Sequence, residues 1–367
     1  MPFDHGTMTF CVCTLPQPMP KDALARFAAK AAGPLERVEH EPQLGWVTGR
    51  HLLENRIDEK TAFAGGYLHL SLRQAVRKIP ASLLRAECRM AELALLADKK
   101  PGDTVARNER RQIKEEVTER LLPTMPPQLT GLPFVVDENY KRVYVGASSE
   151  RQLDTFNAMF SQTVGFDLVP QTPEALAVMH IGKAAHDLVP FNLSPALADN
   201  KATGTLGQNF LTWLWFYLDG RKGVLPKTQL GEFSMQLDGP LVFVAEGEGA
   251  FESAIRKGLP TQSAEAKAAL LVGKKLRRAK ITLARGDSDQ WTTGIDADNF
   301  SFRGLKVPDG ETLEPNAVFE ERVINLYVFH TVLTELFKHF VKELSDPARR
   351  AAIQRDAKAW VQALEGK

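Results

Sequence analysis

Two pairs of aspartates are the residues whose spacing could support catalysis. Asp287 and Asp289 form one pair, and Asp296 and Asp298 form the other, on either side of a short predicted strand at 291–295. Clustered carboxylates can hold two metal ions about 4 Å apart, which is how many nucleases cleave phosphodiesters. Both pairs fall where turns are expected, and neither has the D-x-[DN]-x-[DN]-G spacing of a calcium loop. Solvated turn carboxylates are the favoured interpretation, and a metal-dependent nuclease is the alternative.

Other motifs of catalysis or cofactor binding are missing from the sequence. It contains no G-x-x-x-x-G-K-[ST] phosphate loop, no H-E-x-x-H metal motif and no G-x-S-x-G nucleophile elbow. Gly247 and Gly249 lack the third glycine of a dinucleotide fingerprint, which favours a turn. The three cysteines, Cys11, Cys13 and Cys88, are too few for a disulfide framework and fit a reducing compartment. We therefore expect no catalytic residue, no cofactor and no metal.

A local concentration of positive charge is the strongest signal that remains. The chain has 46 Lys and Arg against 45 Asp and Glu, so its net charge is only +1. Between residues 267 and 285, however, seven Lys and Arg occur with no Asp or Glu. Rows of such cations neutralise phosphates and release counterions, which gives affinity for nucleic acid without sequence reading. The candidate DNA-binding residues are Arg256, Lys257, Lys274, Lys275, Arg277, Arg278, Lys280, Arg77 and Lys78.

The segment 253–283 must position most of these cations. Its pattern predicts a strand end, a turn, a short Ala-rich helix and then a basic strand. Side chains alternate between the two faces of a strand. We therefore expect Lys275 and Arg277 on one face of the basic strand, and Arg278 and Lys280 on the other.

The surrounding pattern predicts an α+β fold, in which antiparallel sheets are flanked by helices. A pair of charged helices is expected to project from the body, because the helix at 103–122 has few apolar positions to bury. The predicted regions are a central α+β sheet region at 1–79 and 131–185, a projecting helical tip at 80–130, a second α+β region with the basic finger at 186–310, and a C-terminal helical dimerisation region at 311–367.

Two apolar segments bear on how the chain packs. The aromatic segment 206–218 is predicted to be a helix rather than a strand, and to lie in the core. It contains no Lys or Arg, whereas aromatics that stack on bases are usually interleaved with them. The helix predicted at 315–344 is apolar around most of its circumference, so it must be covered on more than one side. Packing between two copies of the chain would cover it.

Neither a membrane segment nor a signal peptide is expected. No apolar run approaches the roughly 20 residues that span a bilayer, and the N-terminus lacks a basic region followed by a long apolar one. The sequence thus predicts a soluble cytoplasmic protein with no membrane partner.

Six segments of the chain occur in an order that is typical of one protein family. They are LGWV (44–47), IKEEVTERLLP (113–123), VYVGASSERQLDTF (143–156), AIRKGLPT (254–261), GKKLRRAKITL (273–283) and FEERVINLYVFHTVLTEL (319–336). Together they resemble the RdgC family of bacterial recombination-associated proteins. The resemblance implies an α+β fold and a homodimer that closes into a ring around duplex DNA. It also implies binding with little sequence preference, a nucleoid location and restraint of a RecA-type recombinase. The family's basic finger corresponds to Arg256 and Lys257.

The sequence is therefore compatible with three functions. A DNA-binding homodimer is the first, with double-stranded DNA as the expected ligand and single-stranded DNA left open. A metal-dependent nuclease using the four aspartates is the second. A protein-interaction scaffold with no nucleic-acid role is the third, suggested by the near-neutral charge and the apolar C-terminal helix.

Overall fold

Antiparallel strands and α-helices build an α+β fold, as the sequence pattern predicts. The computed structural model describes residues 2–100, 103–245, 252–310 and 312–363. The turn predicted at Gly247 and Gly249 lies outside these residues. The strands are β1 (Met8–Thr14), β2 (Gln43–Thr48), β3 (Phe63–Ala64), β4 (Tyr67–Val76), β5 (Gln128–Asp137), β6 (Arg142–Val145), β7 (Val169–Pro170), β8 (Ser234–Val244), β9 (Ser253–Ile255), β10 (Lys275–Arg285), β11 (Asp289–Asp296) and β12 (Ser301–Lys306).

The helices occur where apolar periodicity and capping residues predict them. Ser149, for example, accepts a hydrogen bond from the Gln152 backbone N–H at 3.4 Å, and Thr205 accepts one from Gln208 at 3.2 Å. The helices are α1 (Ala23–Ala29), α2 (Glu59–Ala62), α3 (Ala81–Ala97), α4 (Arg107–Leu121), α5 (Glu150–Val164), α6 (Pro173–Ile181), α7 (Leu206–Gly220), α8 (Ala264–Leu271), α9 (Pro315–Ser345) and α10 (Pro347–Ala363).

The chain divides into two compact units. Unit 1 comprises Met1–Pro20, Phe63–His69 and Pro133–Lys367, and unit 2 comprises Lys21–Ala62 and Leu70–Leu132. Unit 1 therefore contains the segment 253–283 and the apolar C-terminal helices, whereas unit 2 contains the charged helix pair.

Unit 2 combines a strand pair with the two charged helices. Strand β2 pairs antiparallel with β4, and α3 packs beside α4. Arg120 of α4 forms an ion pair with Glu87 of α3 at 2.7 Å, and Lys99, just after α3, forms one with Glu109 of α4 at 2.6 Å. Helix α3 has no buried side chain over its described length, and α4 buries only Val117. The charged helix pair of the predicted fold is thus confirmed.

In unit 1, one sheet carries both the core and the basic strand. Its strands run in the order β9, β8, β10, β11, β12, β1, β6 and β5, with each pair antiparallel. Helices α7 and α9 pack on one face of β10–β12. Trp291 of β11, for instance, donates its indole N–H to the Asn325 carbonyl of α9 at 3.1 Å. Phe302 of β12 meets Phe329 of α9 edge to face.

The two predicted apolar helices fill this core. Helix α7 is buried around nearly its whole circumference, and its Phe210 lies against Phe337 and Phe340 of α9. Helix α9 is covered by the sheet, α6, α7 and α10 of the same chain. A second copy is therefore not needed to bury α9, although Ile324 remains 46% exposed. The covering elements come from distant parts of one chain, so the apolar pattern of α9 does not by itself require a dimer, and dimerisation through the C-terminal region stays a prediction.

Strand β8 differs from the sequence prediction. The sequence pattern predicts two strands, at 232–237 and 241–245, whereas β8 is one strand from Ser234 to Val244 with a cis peptide bond between Gly239 and Pro240. The register against β10 shifts there, because Asp238 pairs with Lys280 while Val242 pairs with Arg278. Proline is tolerated in a sheet where such a bulge interrupts the hydrogen bonds.

We predict that Gly207→Ala destabilises the protein by about 1–3 kcal/mol, the usual cost of overpacking. An added Cβ at Gly207 in α7 would overlap the Ala297 carbonyl oxygen and lie 2.8 Å from Pro173 Cγ. Urea denaturation measures the change. Gly220→Ala in the same helix is the matched control, since an added Cβ there meets nothing within 4 Å. Its higher helix propensity should leave stability unchanged or raise it by up to about 1 kcal/mol. Equal effects of the two substitutions would contradict the packing argument.

Candidate nucleic-acid interface

The basic run lies on β10, but the side chains do not alternate simply. The register shifts between Leu276 and Arg278 and again between Arg278 and Lys280. Lys275 and Leu276, which precede the first shift, are both buried although they are neighbours. Beyond the bulges the alternation returns, with Ile281 in the core and Lys280 half-exposed. Simple alternation is therefore interrupted at the start of the strand, while Arg278 and Lys280 share a face as predicted.

Lys275 is a core residue rather than a surface cation. Its side chain is only 4% exposed, and its ammonium donates a hydrogen bond to the Phe191 carbonyl oxygen. Burial disfavours the charged form and lowers the pKa of Lys275 to about 7. A polyanion at the surface cannot reach this ammonium, so Lys275 serves packing.

Arg277 and Arg278 have carboxylate partners that the local sequence does not reveal. Arg278 Nε donates to Asp296 Oδ2 at 2.6 Å, and Arg277 Nε lies 2.8 Å from Asp298 Oδ2. The second is a close contact of opposite charges without an aligned hydrogen bond. Antiparallel pairing of β10 with β11 brings these acids alongside the basic run. The sequence expectation of uncompensated charge at 277 and 278 was thus wrong.

The four aspartates are engaged separately rather than gathered around a metal. Asp289 pairs with Arg285 at 2.8 Å, and Asp298 also accepts hydrogen bonds from Thr205 and Gln208. Asp287 is exposed in the β10–β11 turn. Within the part of the chain that the structure describes, no group of three His, Cys, Asp or Glu could hold a metal ion. Asp287 is a solvated turn carboxylate as predicted, but Asp296 is only 5% exposed at the end of β11, so the prediction of a solvated turn residue was wrong for Asp296.

The remaining sequence candidates fall in three places. Arg256 and Lys257 are exposed in the loop that follows edge strand β9. Lys274 is half-buried and donates to Ser253 Oγ at 2.6 Å. Arg77 and Lys78 belong to unit 2, where Arg77 Nε donates to the Val38 carbonyl at 2.7 Å and Lys78 is exposed.

One face of the unit 1 sheet collects cations that the sequence reasoning treated only in part. We call it the open face, because it lies opposite the face covered by α7 and α9. Its residues are Gln236, Asp238, Arg278, Lys280, Thr282, Thr292, Gly294, Asp296, Arg303 and Lys306. Antiparallel sheets commonly bury one face and leave the other solvated.

Cross-strand pairing sets the spacing of the cations on the open face. Lys280 is directly opposite Gly294, which is opposite Arg303 on the next strand. Neighbouring strands are about 4.8 Å apart, so the backbones of Lys280 and Arg303 are separated by about 10 Å. Because Gly294 has no side chain, the two cations flank a shallow strip of bare backbone.

A glycine bulge aligns the two cations of β12. Thr292 pairs with Lys306 and Gly294 pairs with Arg303, so β12 has one more residue than β11 over this stretch. Gly304 adopts a φ of +66°, the left-handed conformation typical of the first residue in a bulge of this kind. The extra residue brings Arg303 and Lys306 to the same face, where both are exposed.

Arg303 and Lys306 were missed by the sequence reasoning. The segment S-F-R-G-L-K contains the signal, since Phe302 and Leu305 are buried while the cations are exposed. Simple alternation would place Phe302 and Leu305 on opposite faces. Only a bulge at Gly304 reconciles them, and a single glycine is a weak indication of one.

Comparison with known proteins covers the first half of the chain. A family model described as "Putative exonuclease, RdgC" matches residues 14–180. A protein of Pseudoalteromonas atlantica named "Recombination-associated protein RdgC" is 27% identical over 145 residues. This alignment covers 40% of the present chain and 45% of the relative's own length.

Residues 14–180 match the RdgC family. The resemblance stated from sequence is thereby confirmed over that range, which includes LGWV, IKEEVTERLLP and VYVGASSERQLDTF. The RdgC match ends before β8, so the basic run and the open face lie beyond it. For those residues the resemblance stays a prediction. No helix in the described residues is both long and apolar enough to cross a membrane.

We predict that Lys275→Met removes a rise of stability with pH. The pKa of Lys275 is about 7 in the folded protein but 10.5 when unperturbed, so between these values the unfolded chain binds more protons. The free energy of unfolding should then increase with pH, by up to about 1.4 kcal/mol per pH unit. Urea denaturation from pH 7 to pH 10 measures the slope. Lys274→Met is the control and should retain the slope; a Lys275→Met variant that retained it would disprove the assignment.

Proposed function

We propose that this protein binds duplex DNA through its phosphates, with little sequence preference, and acts in DNA recombination. The observation that carries the proposal is the open face, where four cations accompany two carboxylates. The cations are Arg278, Lys280, Arg303 and Lys306, and the carboxylates are Asp238 and Asp296. An excess of positive charge on an exposed sheet attracts a polyanion even when the whole chain is almost neutral.

Lys280 and Lys306 are the two cations of the open face best placed to contact phosphates. Within the described residues neither ammonium has a carboxylate partner. Arg278, by contrast, is bound to Asp296 at 2.6 Å, and Arg303 lies 3.8 Å from the same carboxylate. A lysine without a partner can exchange its water and counterions for a phosphate without first breaking an ion pair.

The exposed loop at Arg256 and Lys257 extends the proposed surface. It follows β9, which pairs with β8 at the edge of the same sheet. Gly258, with a φ of +78°, turns the chain directly after these two residues. The RdgC resemblance implies a basic finger at Arg256 and Lys257, so we include both side chains among the proposed phosphate contacts, together with half-buried Lys274. Arg77 and Lys78 remain proposed contacts of unit 2.

Lys280→Gln/Lys306→Gln should weaken binding to a random-sequence duplex at least tenfold. Each phosphate contact removed should lower the slope of log K against log salt by about 0.9. Fluorescence anisotropy between 50 and 200 mM salt measures both quantities, and a single strand of equal length tests strand preference. The neutral substitutions are chosen because charge reversal of Lys275, Arg277 or Arg278 would disrupt buried or paired groups.

Lys338→Gln/Lys342→Gln on α9 is the matched control, because it removes the same charge elsewhere and should leave DNA affinity unchanged. An affinity of the unaltered protein that does not depend on salt would sink the proposal. So would an equal loss in the two double variants, since the open face would then have no special role. Absence of any DNA binding would favour the scaffold function instead.

Exonuclease activity is a second candidate, favoured by the description of the matching RdgC family model. The carboxylate geometry argues against Asp287 and Asp296 as its catalytic groups, because Asp296 is committed to Arg278. We predict that end-labelled duplex incubated with Mg²⁺ or Mn²⁺ stays intact. Degradation that is lost in Asp287→Asn/Asp296→Asn would contradict this prediction, whereas degradation that persists would assign the chemistry to other residues.

The proposal extends to a homodimer that closes around DNA and restrains a RecA-type recombinase, as the RdgC resemblance implies. Helix α9 gives this assembly no support, because it is covered within one chain. Light scattering with and without a duplex tests it, with a particle of twice the chain mass as the expected result. A monomer in both conditions would reject the ring while leaving phosphate binding on the open face intact.

A further inference from the structure

A groove beside α9 is separate from the open face, because α9 packs on the opposite face of the sheet. It lies between α9 and the loop 225–230, within unit 1, and encloses about 510 Å³. This volume is in the range of sites that hold ligands. Residues of α9 at spacings of three and four form one wall, and they therefore share one side of the helix. They are Tyr327, Thr331, Glu335, Lys338 and Lys342.

Both walls of the groove are held in place by their own contacts. In the loop, Thr228 and Gly231 exchange backbone hydrogen bonds of 3.0 and 3.2 Å, and Leu225 N–H donates to the Phe233 carbonyl at 3.1 Å. At one end of the helix stripe, Tyr327 stacks on Tyr140 with ring centroids 3.9 Å apart. A preformed groove loses less conformational entropy when a ligand binds.

The chemistry of the groove is an apolar floor with a positively charged rim. The floor is made by Leu225, Leu230, Val332 and Leu336, and the rim contains Lys227, Lys338 and Lys342, with Glu335 as the lining carboxylate. Lys338 contacts Glu335 at 3.1 Å, and Lys227 contacts Glu232 at 3.1 Å. Such exposed ion pairs contribute little stability and are readily exchanged for a ligand's carboxylates. Lys342 is exposed and has no carboxylate partner among the described residues.

A cation also lies at the Tyr327 end of the stripe, away from Lys338 and Lys342. The Arg142 guanidinium lies 5.3 Å from the centre of the Tyr327 ring and donates to Thr331 Oγ1 at 3.3 Å. From Tyr327 to Lys342 the helix rises about 22 Å. An extended peptide advances about 3.3 Å per residue, so about seven residues would span the stripe.

We propose that this groove binds an acidic peptide segment of a partner protein, with apolar side chains on the floor and carboxylates at the lysines. An apolar floor favours a peptide over nucleic acid, because phosphates gain nothing from it. The Tyr327 ring is already stacked on Tyr140, so it is fixed in place rather than free to stack on a base. The inference does not depend on DNA binding by the open face.

A fluorescein-labelled nine-residue peptide of alternating Asp and Leu is the probe, and its counterpart with Lys in place of Asp is the control ligand. We expect the acidic peptide to bind, and Lys338→Gln/Lys342→Gln to weaken it at least tenfold in fluorescence anisotropy. Leu230→Ser, on the half-buried part of the floor, should weaken it at least threefold. Thermal denaturation of each variant establishes that it is folded.

Measuring both peptide and DNA affinity for each of the two double variants separates this proposal from the proposed DNA binding. Lys280→Gln/Lys306→Gln should leave peptide affinity unchanged, because the open face lies on the other side of the sheet from α9. An equal loss of peptide affinity in both double variants would reveal non-specific attraction and would contradict the proposal that the groove binds the peptide. No binding of the acidic peptide at 1 mM, or equal binding of the basic peptide, would also overturn it. Displacement of the peptide by duplex DNA, with weaker DNA binding in Lys338→Gln/Lys342→Gln, would make the groove a nucleic-acid surface instead.

Discussion

The antiparallel pairing of β10 with β11 is the constraint on which the rest of unit 1 depends. It aligns Ile281 with Thr293 and Leu283 with Trp291 on the face that α7 and α9 cover. The same register places Asp296 against Arg278 on the opposite face. A shift by one residue would send the apolar set into solvent and the charged set into the core, so register is strongly specified. Core formation and the charge pattern of the open face therefore have one common cause.

Charge compensation across these strands changes how the basic run should be understood. Along the chain, the cations from 267 to 285 have no acidic neighbours. In space, Arg277, Arg278 and Arg285 each meet an aspartate from β11 or from the adjacent turns. Their ion pairs hold the hairpin together, and this leaves Lys280 as the half-exposed cation of β10 that is free to exchange partners. The distinction follows from chemistry, since the planar guanidinium suits a fixed carboxylate while the ammonium is a compact, strongly hydrated charge.

Sequence reasoning recovered most of the elements, because it rests on local periodicity and caps. The aromatic helix α7, the apolar helix α9 and the charged helix α4 all lie close to their predicted ranges. It failed where the decisive contact is remote along the chain. The burial of Lys275 against the Phe191 carbonyl joins residues 84 positions apart, and the elements that pack on α9 come from distant parts of the chain. It failed again at bulges, where Gly304 and the Gly239–Pro240 bond reset the side-chain pattern.

Helix α9 has a consequence for how unit 1 could meet two molecules at once. Its Phe329 and the Asn325 carbonyl contact the sheet, while the stripe from Tyr327 to Lys342 lines the groove. A polymer lying across the open face and a peptide in the groove would lie on different sides of the sheet, because α9 packs on the face opposite the open face. Neither would obstruct the other sterically. This layered arrangement suits an adaptor, which can bind a partner protein and a nucleic acid at the same time.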